Sequence, residues 1–184
     1  MKRKVLVVDD VESNRTFLSE LLPKVNLDVT TADNGQEALI VVKEAIPDLI
    51  LMDIDLGKGI DGTETAELIL NKCDIPIVFL SSHMEPEIVE KTEKITSYGY
   101  VVKSSSLTVL DASIKMAFKL FDANMEIEES DKRQKTMLSN TSDVLGIIGV
   151  DGLMKYKSPN IEKWFGWEPE DLVGTNGFQN VHSD

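Results

Sequence analysis

Acidic, hydroxyl and amino side chains stand at the ends of four short apolar runs. The runs cover residues 4–8, 48–52, 75–80 and 99–103, and the polar residues at their ends are Asp9, Asp10, Asp53, Ser81 and Lys103. If the runs are parallel strands, their carboxyl ends meet at one edge of a sheet, and side chains far apart in sequence lie together. Three acids, a hydroxyl and an amine suit metal-assisted phosphoryl transfer.

The acids of this group would repel one another. At about 6 Å and an effective dielectric near 20, the repulsion between two carboxylates is roughly 3 kcal/mol. A bound divalent cation removes the conflict, and oxygen ligands with room for water suit Mg²⁺. The expected ligands are Asp10 and Asp53, together with a backbone carbonyl in the loop near Asp55.

A carboxylate beside Mg²⁺ can attack a phosphoryl group and become an aspartyl phosphate. In such a site Mg²⁺, the Lys103 ammonium and the Ser81 hydroxyl would each cover one phosphoryl oxygen. The sequence has no glycine-rich loop of the GxxxxGKS/T kind, so ATP is not the expected direct donor.

Short β-branched runs alternate with amphipathic stretches over the first two thirds of the chain. A further strand is predicted over 28–32, and helices over 12–22, 34–45, 62–71 and 85–96 and from about Ser106 onward. Five strands alternating with five helices predict an α/β fold with a flavodoxin-like, doubly wound parallel sheet. The most apolar strands, near residues 5, 50 and 77, should be central because both of their faces are covered.

Composition argues against several functional classes. A net charge of −13, with no basic cluster beyond residues 2–4, argues against nucleic-acid binding by this part of the protein. The single cysteine, Cys73, forms no internal disulfide and no thiolate metal site. The sequence lacks a signal peptide and any apolar run near the roughly 18 residues of a membrane span, so we expect a cytoplasmic protein without a membrane partner.

Residues 1–121 resemble the receiver domain of two-component response regulators. The matching segments, in the order of the family, are VLVVDD, ADNGQEAL, PDLILMDIDL, the Asp61-Gly62 pair, IPIVFLSS and YGYVVK. The resemblance implies that Asp53 is the phosphoacceptor and that Asp9 and Asp10 form the Mg²⁺ pocket. It implies a phosphohistidine donor on a sensor histidine kinase or phosphotransfer protein.

The resemblance also implies a switch. Lys103 would contact the phosphoryl group, Ser81 would move toward it on activation, and Tyr100 would rotate inward behind it. Two features depart from the family pattern. The loop DLGKGIDG is one residue longer than usual and lacks proline, as in receivers attached to multidomain sensors, and Ser104 replaces a proline that commonly follows a cis bond. A cis bond before serine costs about 3–4 kcal/mol, so we expect a trans bond.

Two polar residues near the site have alternative interpretations. Asp55 could be a second side-chain ligand, but a solvent-facing residue that modulates hydrolysis of the phosphoryl group is the favoured interpretation. His83 lies two residues after Ser81 and is expected to be an exposed residue at the rim.

The helical pattern that begins near Ser106 continues past the receiver into a linker over 122–136. Leu110, Ile114, Ala117, Phe121 and Met125 recur at spacings of three and four; the first half of this stripe should pack on the sheet. The second half predicts a homodimer through the helix over 107–135, with a solvated connector as the alternative.

Residues 137–184 resemble the opening of a PAS sensor domain, on the segment SPNIEKWFGWEPEDLVG and the final VHSD. Asp151-Gly152 between apolar runs predicts a hairpin, and Ser158 is expected to cap a helix that opens with Pro159. The later PAS strands are missing, so we expect an incomplete domain from a longer receiver–PAS protein, and no ligand is assigned to it.

Three functions remain open at this point. The favoured one is a non-enzymatic phosphoacceptor that switches a PAS or output region within a multidomain sensor or hybrid histidine kinase. The second is a phosphatase like the haloacid dehalogenases, with Asp53 and Asp55 as its DxD pair, although that pattern normally follows the first strand and here follows the third. The third is a receiver that takes no phosphate and serves in docking or dimerisation.

Overall fold

The computed structural model describes residues 2–57, 59–82, 92, 95, 98–140 and 143–178. The chain divides into two compact units, 1–123 and 124–184. The predicted helix over 85–96 and His83 lie in a region of which only residues 92 and 95 are described, and the final VHSD lies outside the described residues.

The first unit is built on five strands and the helices between them. Its elements, in chain order, are β1 (Arg3–Val8), α1 (Glu12–Leu21), β2 (Leu27–Ala32), α2 (Gly35–Glu44), β3 (Leu49–Asp53), α3 (Gly62–Leu70), β4 (Ile77–Ser81), β5 (Tyr100–Val102) and α4 (Leu107–Ser139). All paired strands are parallel, in the order β2-β1-β3-β4-β5. The flavodoxin-like sheet and the central position of β1, β3 and β4 are therefore confirmed.

Alternation along the central strands divides the core into two layers. Val5 and Val7 of β1 face the layer that includes α1 and α4, whereas Leu6 and Val8 face the layer that includes α2 and α3. All five residues of β3 are buried, as are all five of β4. Because successive side chains of a strand point to opposite faces, a continuous apolar run is what a strand covered on both sides requires.

Side-chain caps set the starts of two helices. The Asn34 side chain accepts a hydrogen bond from the Glu37 N–H at 2.9 Å, and Asp61 accepts one from the Glu64 N–H at 2.7 Å. Each cap satisfies a backbone donor that the first turn of a helix leaves without a partner. The Asp61 cap fixes where the long loop after β3 ends.

Helix α4 packs on the sheet through a stripe that differs partly from the predicted one. Leu110, Ile114 and Ala117 are buried as predicted, but the fourth buried residue is Phe118, under the Arg3 guanidinium at 4.2 Å. Phe121 is half-buried, with its ring 5.6 Å from that of Tyr98. The 3.6-residue period places positions 114 and 118 on one face, and the contact with Arg3 of β1 favours this face.

The second unit contains a β-hairpin and two short helices: β6 (Gly146–Ile148), β7 (Met154–Lys157), α5 (Ile161–Phe165) and α6 (Pro169–Leu172). The strands pair antiparallel, and Gly152 at the turn has a φ of +77°, so the predicted Asp151-Gly152 hairpin is confirmed. Among the described residues, no helix is both long and apolar enough to cross a membrane.

The predicted cap at Ser158 is wrong. Helix α5 begins at Ile161, and the buried Ser158 hydroxyl accepts from the Leu145 N–H at 2.8 Å and donates to the Asn160 side chain at 2.5 Å. A serine before Pro159 resembles a local cap in sequence. Here the hydroxyl instead accepts a hydrogen bond from Leu145, which lies 13 positions earlier in the chain.

A substitution at Gly62 tests how closely the start of α3 approaches the end of β3. A Cβ built on Gly62 would lie 1.8 Å from the backbone carbonyl oxygen of Asp53. Alanine gains up to about 1 kcal/mol of helix propensity over glycine, but overpacking against backbone costs roughly 1–3 kcal/mol. We expect Gly62→Ala to lower the free energy of unfolding by about 2 kcal/mol in a urea titration. The control is Gly146→Ala, whose Cβ would meet only flexible side chains, Lys157 at 3.3 Å and Met154 at 3.5 Å. Equal stability of Gly62→Ala and the wild type would contradict this close approach.

Candidate phosphoacceptor site

The carboxyl edge of the sheet brings the predicted side chains together. Asp9 and Asp10 follow β1, Asp53 ends β3, and Lys103 follows β5. The Lys103 Nζ lies 2.5 Å from Oδ2 of Asp53 and 2.7 Å from Oδ2 of Asp9. Residues 94 positions apart in sequence thus form one charged cluster because parallel strands end at a common edge.

Asp53 is a buried carboxylate with an altered affinity for protons. Burial raises its pKa from 3.8 to about 6, against the hydrogen bond and charge of Lys103 and a hydrogen bond from the Asp55 N–H, which lower it. Burial alone would lower the pKa of Lys103. The hydrogen bonds to Asp53 and Asp9 outweigh burial, and the pKa of Lys103 is raised above its ordinary value. The lysine is therefore a fixed positive charge at neutral pH.

The oxygens of three acids could hold a metal ion. Asp9, Asp10 and Asp53 each offer one carboxylate oxygen, and these oxygens all lie within 4.8 Å of one another. Hard oxygen donors of this kind fit Mg²⁺. Asp10 is exposed and open to a cation with its waters, whereas Asp9 is fully buried and already receives hydrogen bonds.

The loop after β3 passes close to this cluster. Gly57 has a φ of +66°, and a Cβ on it would lie 2.8 Å from Oδ2 of Asp10. The Asp55 side chain is exposed and accepts from the Gly57 N–H at 3.2 Å. Its backbone N–H, in contrast, reaches the Asp53 carboxylate. The main chain at Asp55 is thus adjacent to Asp53, while its side chain faces solvent.

Ser81 lies on β4, which adjoins β3, and Tyr100 lies on β5, which adjoins β4. Ser81 is buried at the end of β4, and its carbonyl accepts from the Lys103 N–H at 2.7 Å. Tyr100 pairs with Phe79 in the sheet and is half-buried against the core layer of α2 and α3. The Lys103–Ser104 bond is trans, as predicted.

Two residues of α1 that the sequence reasoning missed hold Asp9. The Asn14 Nδ2 donates to both Asp9 carboxylate oxygens at 3.1 Å, and the Arg15 guanidinium donates to the Asp9 carbonyl at 2.6 Å. Their position one turn into the helix after a strand-end acid is the only sequence signal for this role. A cavity of about 90 Å³ beside them is lined by Asp9, Asn14, Lys103 and Ser105 and by apolar residues of α1, β4, β5 and α4.

Comparison with known proteins gives relatives for the first unit. "Probable transcriptional regulator ycf27" of Porphyra purpurea is 33% identical over 126 residues, which are 66% of this chain and 49% of the relative. "Transcriptional regulatory protein PdtaR" of Mycobacterium tuberculosis is 31% identical over 120 residues, 65% of this chain and 58% of the relative. The chain thus spans about half the length of the curated relatives it matches.

Solved structures are similar over the same region. The N-terminal domain of a response regulator/sensory box/GGDEF 3-domain protein from Carboxydothermus hydrogenoformans is 41% identical, with a TM-score of 0.63. The match covers 67% of this chain and 99% of that domain. The family described as "Response regulator receiver domain" matches residues 5–115, over the sheet and the acidic cluster described above. The chain therefore belongs to the response regulator receiver family of two-component signalling.

Proposed function

We propose that Asp53 is the phosphoacceptor of a two-component phosphorelay. The observation that carries the proposal is the Lys103 ammonium held 2.5 Å from a buried carboxylate, with two further acids beside it. A buried carboxylate next to a fixed cation and a metal-binding pair has the groups that phosphoryl transfer requires.

The proposed step is a direct transfer from phosphohistidine. An Asp53 carboxylate oxygen attacks phosphorus, the new O–P bond forms as the P–N bond breaks, and the imidazole leaves with the electron pair and takes up a proton from solvent. Lys103 balances charge on the phosphoryl oxygens, and the Ser81 hydroxyl donates to one of them. The product is an aspartyl phosphate on Asp53.

Mg²⁺ fits the acids beside Asp53. Asp10 and Asp53, with the backbone carbonyl at Asp55, would hold the ion, and Asp9 would complete the pocket behind them. When bound, the ion neutralises charge on the phosphoryl group and on the carboxylates. Asp10, being exposed, leaves room for the coordinated waters that Mg²⁺ keeps.

A phosphoryl group on Asp53 would act on residues of β4 and β5. Ser81 and Tyr100 are the proposed switch residues, since each is at least partly buried on a strand adjoining the site.

The proposed organisation is a receiver over 1–121, a helical linker over 122–136 and an incomplete PAS domain over 137–184. The PAS proposal rests on the sequence resemblance of residues 137–184, since the family match covers residues 5–115. A sensor histidine kinase or phosphotransfer protein is the proposed partner, within a longer sensor or regulator.

Phosphorylation can be measured directly. We expect intact mass spectrometry after incubation with Mg²⁺ and acetyl phosphate or phosphoramidate to show one phosphoryl adduct, and Asp53→Asn to show none, because an amide is not a nucleophile for phosphorus. Asp55→Asn is the matched control and should retain the adduct, since its side chain faces solvent. Adduct formation by Asp53→Asn would overturn the assignment. Catalytic release of phosphate without an adduct would favour the phosphatase, and no reaction at all would favour a docking module.

Stability in the absence of metal should report the pKa of Asp53. Between its ordinary value of 3.8 and the folded value of about 6, the folded protein binds more protons than the unfolded chain. The free energy of unfolding therefore falls as pH rises through this window, by up to about 3 kcal/mol. In EDTA, the stability of Asp53→Asn relative to wild type should rise by that amount between pH 3.5 and 7.

The control for this titration is Asp74→Asn, which removes an exposed carboxylate. Chemical unfolding of the three proteins across pH gives the comparison. A difference between Asp53→Asn and wild type that stays flat with pH would contradict the raised pKa of Asp53.

A homodimer through α4 is the proposed assembly. Val109, Met116 and Leu120 are 48%, 64% and 38% exposed, and with Ala123 and Ile127 they follow the three-four spacing of a coiled coil. These five positions fall within about 60° of a helical wheel, on a face that does not include the buried stripe. The pattern favours a second copy of the same helix, because its period is that of paired helices.

Light scattering tests the dimer. We expect Met116→Glu to shift the protein toward monomer at micromolar concentration, because a charge in an apolar seam is left without a partner. Met125 belongs to the stripe from which the sequence predicted the dimer, and it lies on the opposite side of the helix from Met116. Met125→Glu is therefore the control and should leave the mass unchanged. A wild-type protein that stays monomeric at every concentration would leave α4 as a solvated connector.

A further inference from the structure

The Asp9 carboxylate is fully buried and receives hydrogen bonds from three parts of the chain. The Val11 N–H donates to Oδ1 at 2.9 Å, the Asn14 amide donates to both oxygens at 3.1 Å, and Lys103 contacts Oδ2 at 2.7 Å. Asn14 and Lys103 thus share one oxygen. Of the three donors, Lys103 alone also contacts Asp53.

We propose that Asn14 is a positioning residue that holds the Asp9 carboxylate so that Lys103 can leave it for the phosphoryl group. The proposal rests on the proposed function of Asp53 and goes beyond it by assigning a role to a residue of α1. The hydrogen bonds of the Asn14 side chain go to Asp9. Asn14 acts through Asp9 and Lys103.

Asp9 loses its contact with a cation when Lys103 shifts. A buried carboxylate left without its cation is strongly unfavourable, because the low-dielectric interior cannot replace the lost interaction. An amide that already bridges both oxygens keeps Asp9 hydrogen-bonded when Lys103 moves away from it. Asn14 therefore lowers the barrier to moving the ammonium from Asp9 toward a phosphoryl group on Asp53.

Neighbouring contacts make Asn14 suited to this role. The Arg15 guanidinium donates to the Asp9 carbonyl at 2.6 Å, so consecutive residues of α1 hold the side chain and the backbone of the same aspartate. Asn14 is only partly exposed, and it lines the same 90 Å³ cavity as Lys103. The cavity, which Asp9 also lines, leaves space next to Lys103, so the ammonium can shift without displacing packed side chains.

A double-mutant cycle tests the proposal in the full chain. The rate of phosphoryl uptake from phosphoramidate with Mg²⁺ is measured by intact mass for wild type, Asn14→Ala, Lys103→Met and the double variant. We expect Asn14→Ala to slow uptake about tenfold, as for loss of an outer partner of a site residue. In the Lys103→Met background the same change should alter the rate less than twofold, because the residue through which Asn14 acts is gone.

A general loss of structure in α1 would slow both backgrounds equally, and that result would overturn the proposal. An unchanged rate for Asn14→Ala in the wild-type background would overturn it as well. Failure of wild-type protein to take up phosphate would instead count against the proposed function of Asp53, so the two failures are distinct.

Two single variants distinguish the effect of the Asn14 hydrogen bonds from the effect of side-chain shape and of the helix itself. Asn14→Asp has the same outline but no N–H donors, and we expect it to be at least as slow as Asn14→Ala. Wild-type uptake by Asn14→Asp would show that shape alone matters and would overturn the proposal. Ser13→Ala, at an exposed neighbour on the same turn, should match wild type, and a tenfold loss there would assign the effect to the helix rather than to Asn14.

Discussion

The contact of one ammonium with two buried carboxylates is the interaction on which the site depends. Asp9 and Asp53 would repel each other at the edge of the sheet, where water contributes little screening. Lys103 offsets that repulsion at 2.7 and 2.5 Å. Lys103 can reach both acids because β5 ends beside β4 at the same edge of the sheet. The parallel order of the strands is therefore needed for the charge arrangement as well as for packing.

The same interaction explains why a strand buried on both faces ends on an acid. The apolar residues of β3 hold the backbone rigidly between two covered layers, and Asp53 takes its position from them. Gly62 brings the start of α3 against the Asp53 carbonyl, and the Asp61 cap fixes that start. Positioning thus comes from the backbone, whereas charge balance comes from a side chain on another strand. This division places a carboxylate with a pKa of about 6 inside a well-packed core.

Features set by local pattern or by a general rule of topology were predictable from the sequence. Apolar runs mark the central strands, and the common edge of parallel strands brings Asp53 and Lys103 together. Other contacts depend on geometry that a pattern does not contain. The reach of Asn14 to Asp9 depends on the direction of α1 and on a rotamer, and the burial of Phe118 depends on Arg3 from β1. Ser158 looked like a local cap because its true partner, the Leu145 N–H, is distant in sequence.

Helix α4 is held unevenly along its first four turns. This affects how a change at the site could be transmitted along the helix. Phe118 lies under the Arg3 guanidinium, which also pairs with Asp122 at 2.6 Å, so this part of the helix is fixed to β1. The first turn, by contrast, begins four residues after Lys103 and adjoins the 90 Å³ cavity. Because close packing resists displacement while a cavity permits it, the proposed movement of Lys103 would reach the turn at Leu107 first. The connection between site and helix is therefore shortest where the helix is least constrained.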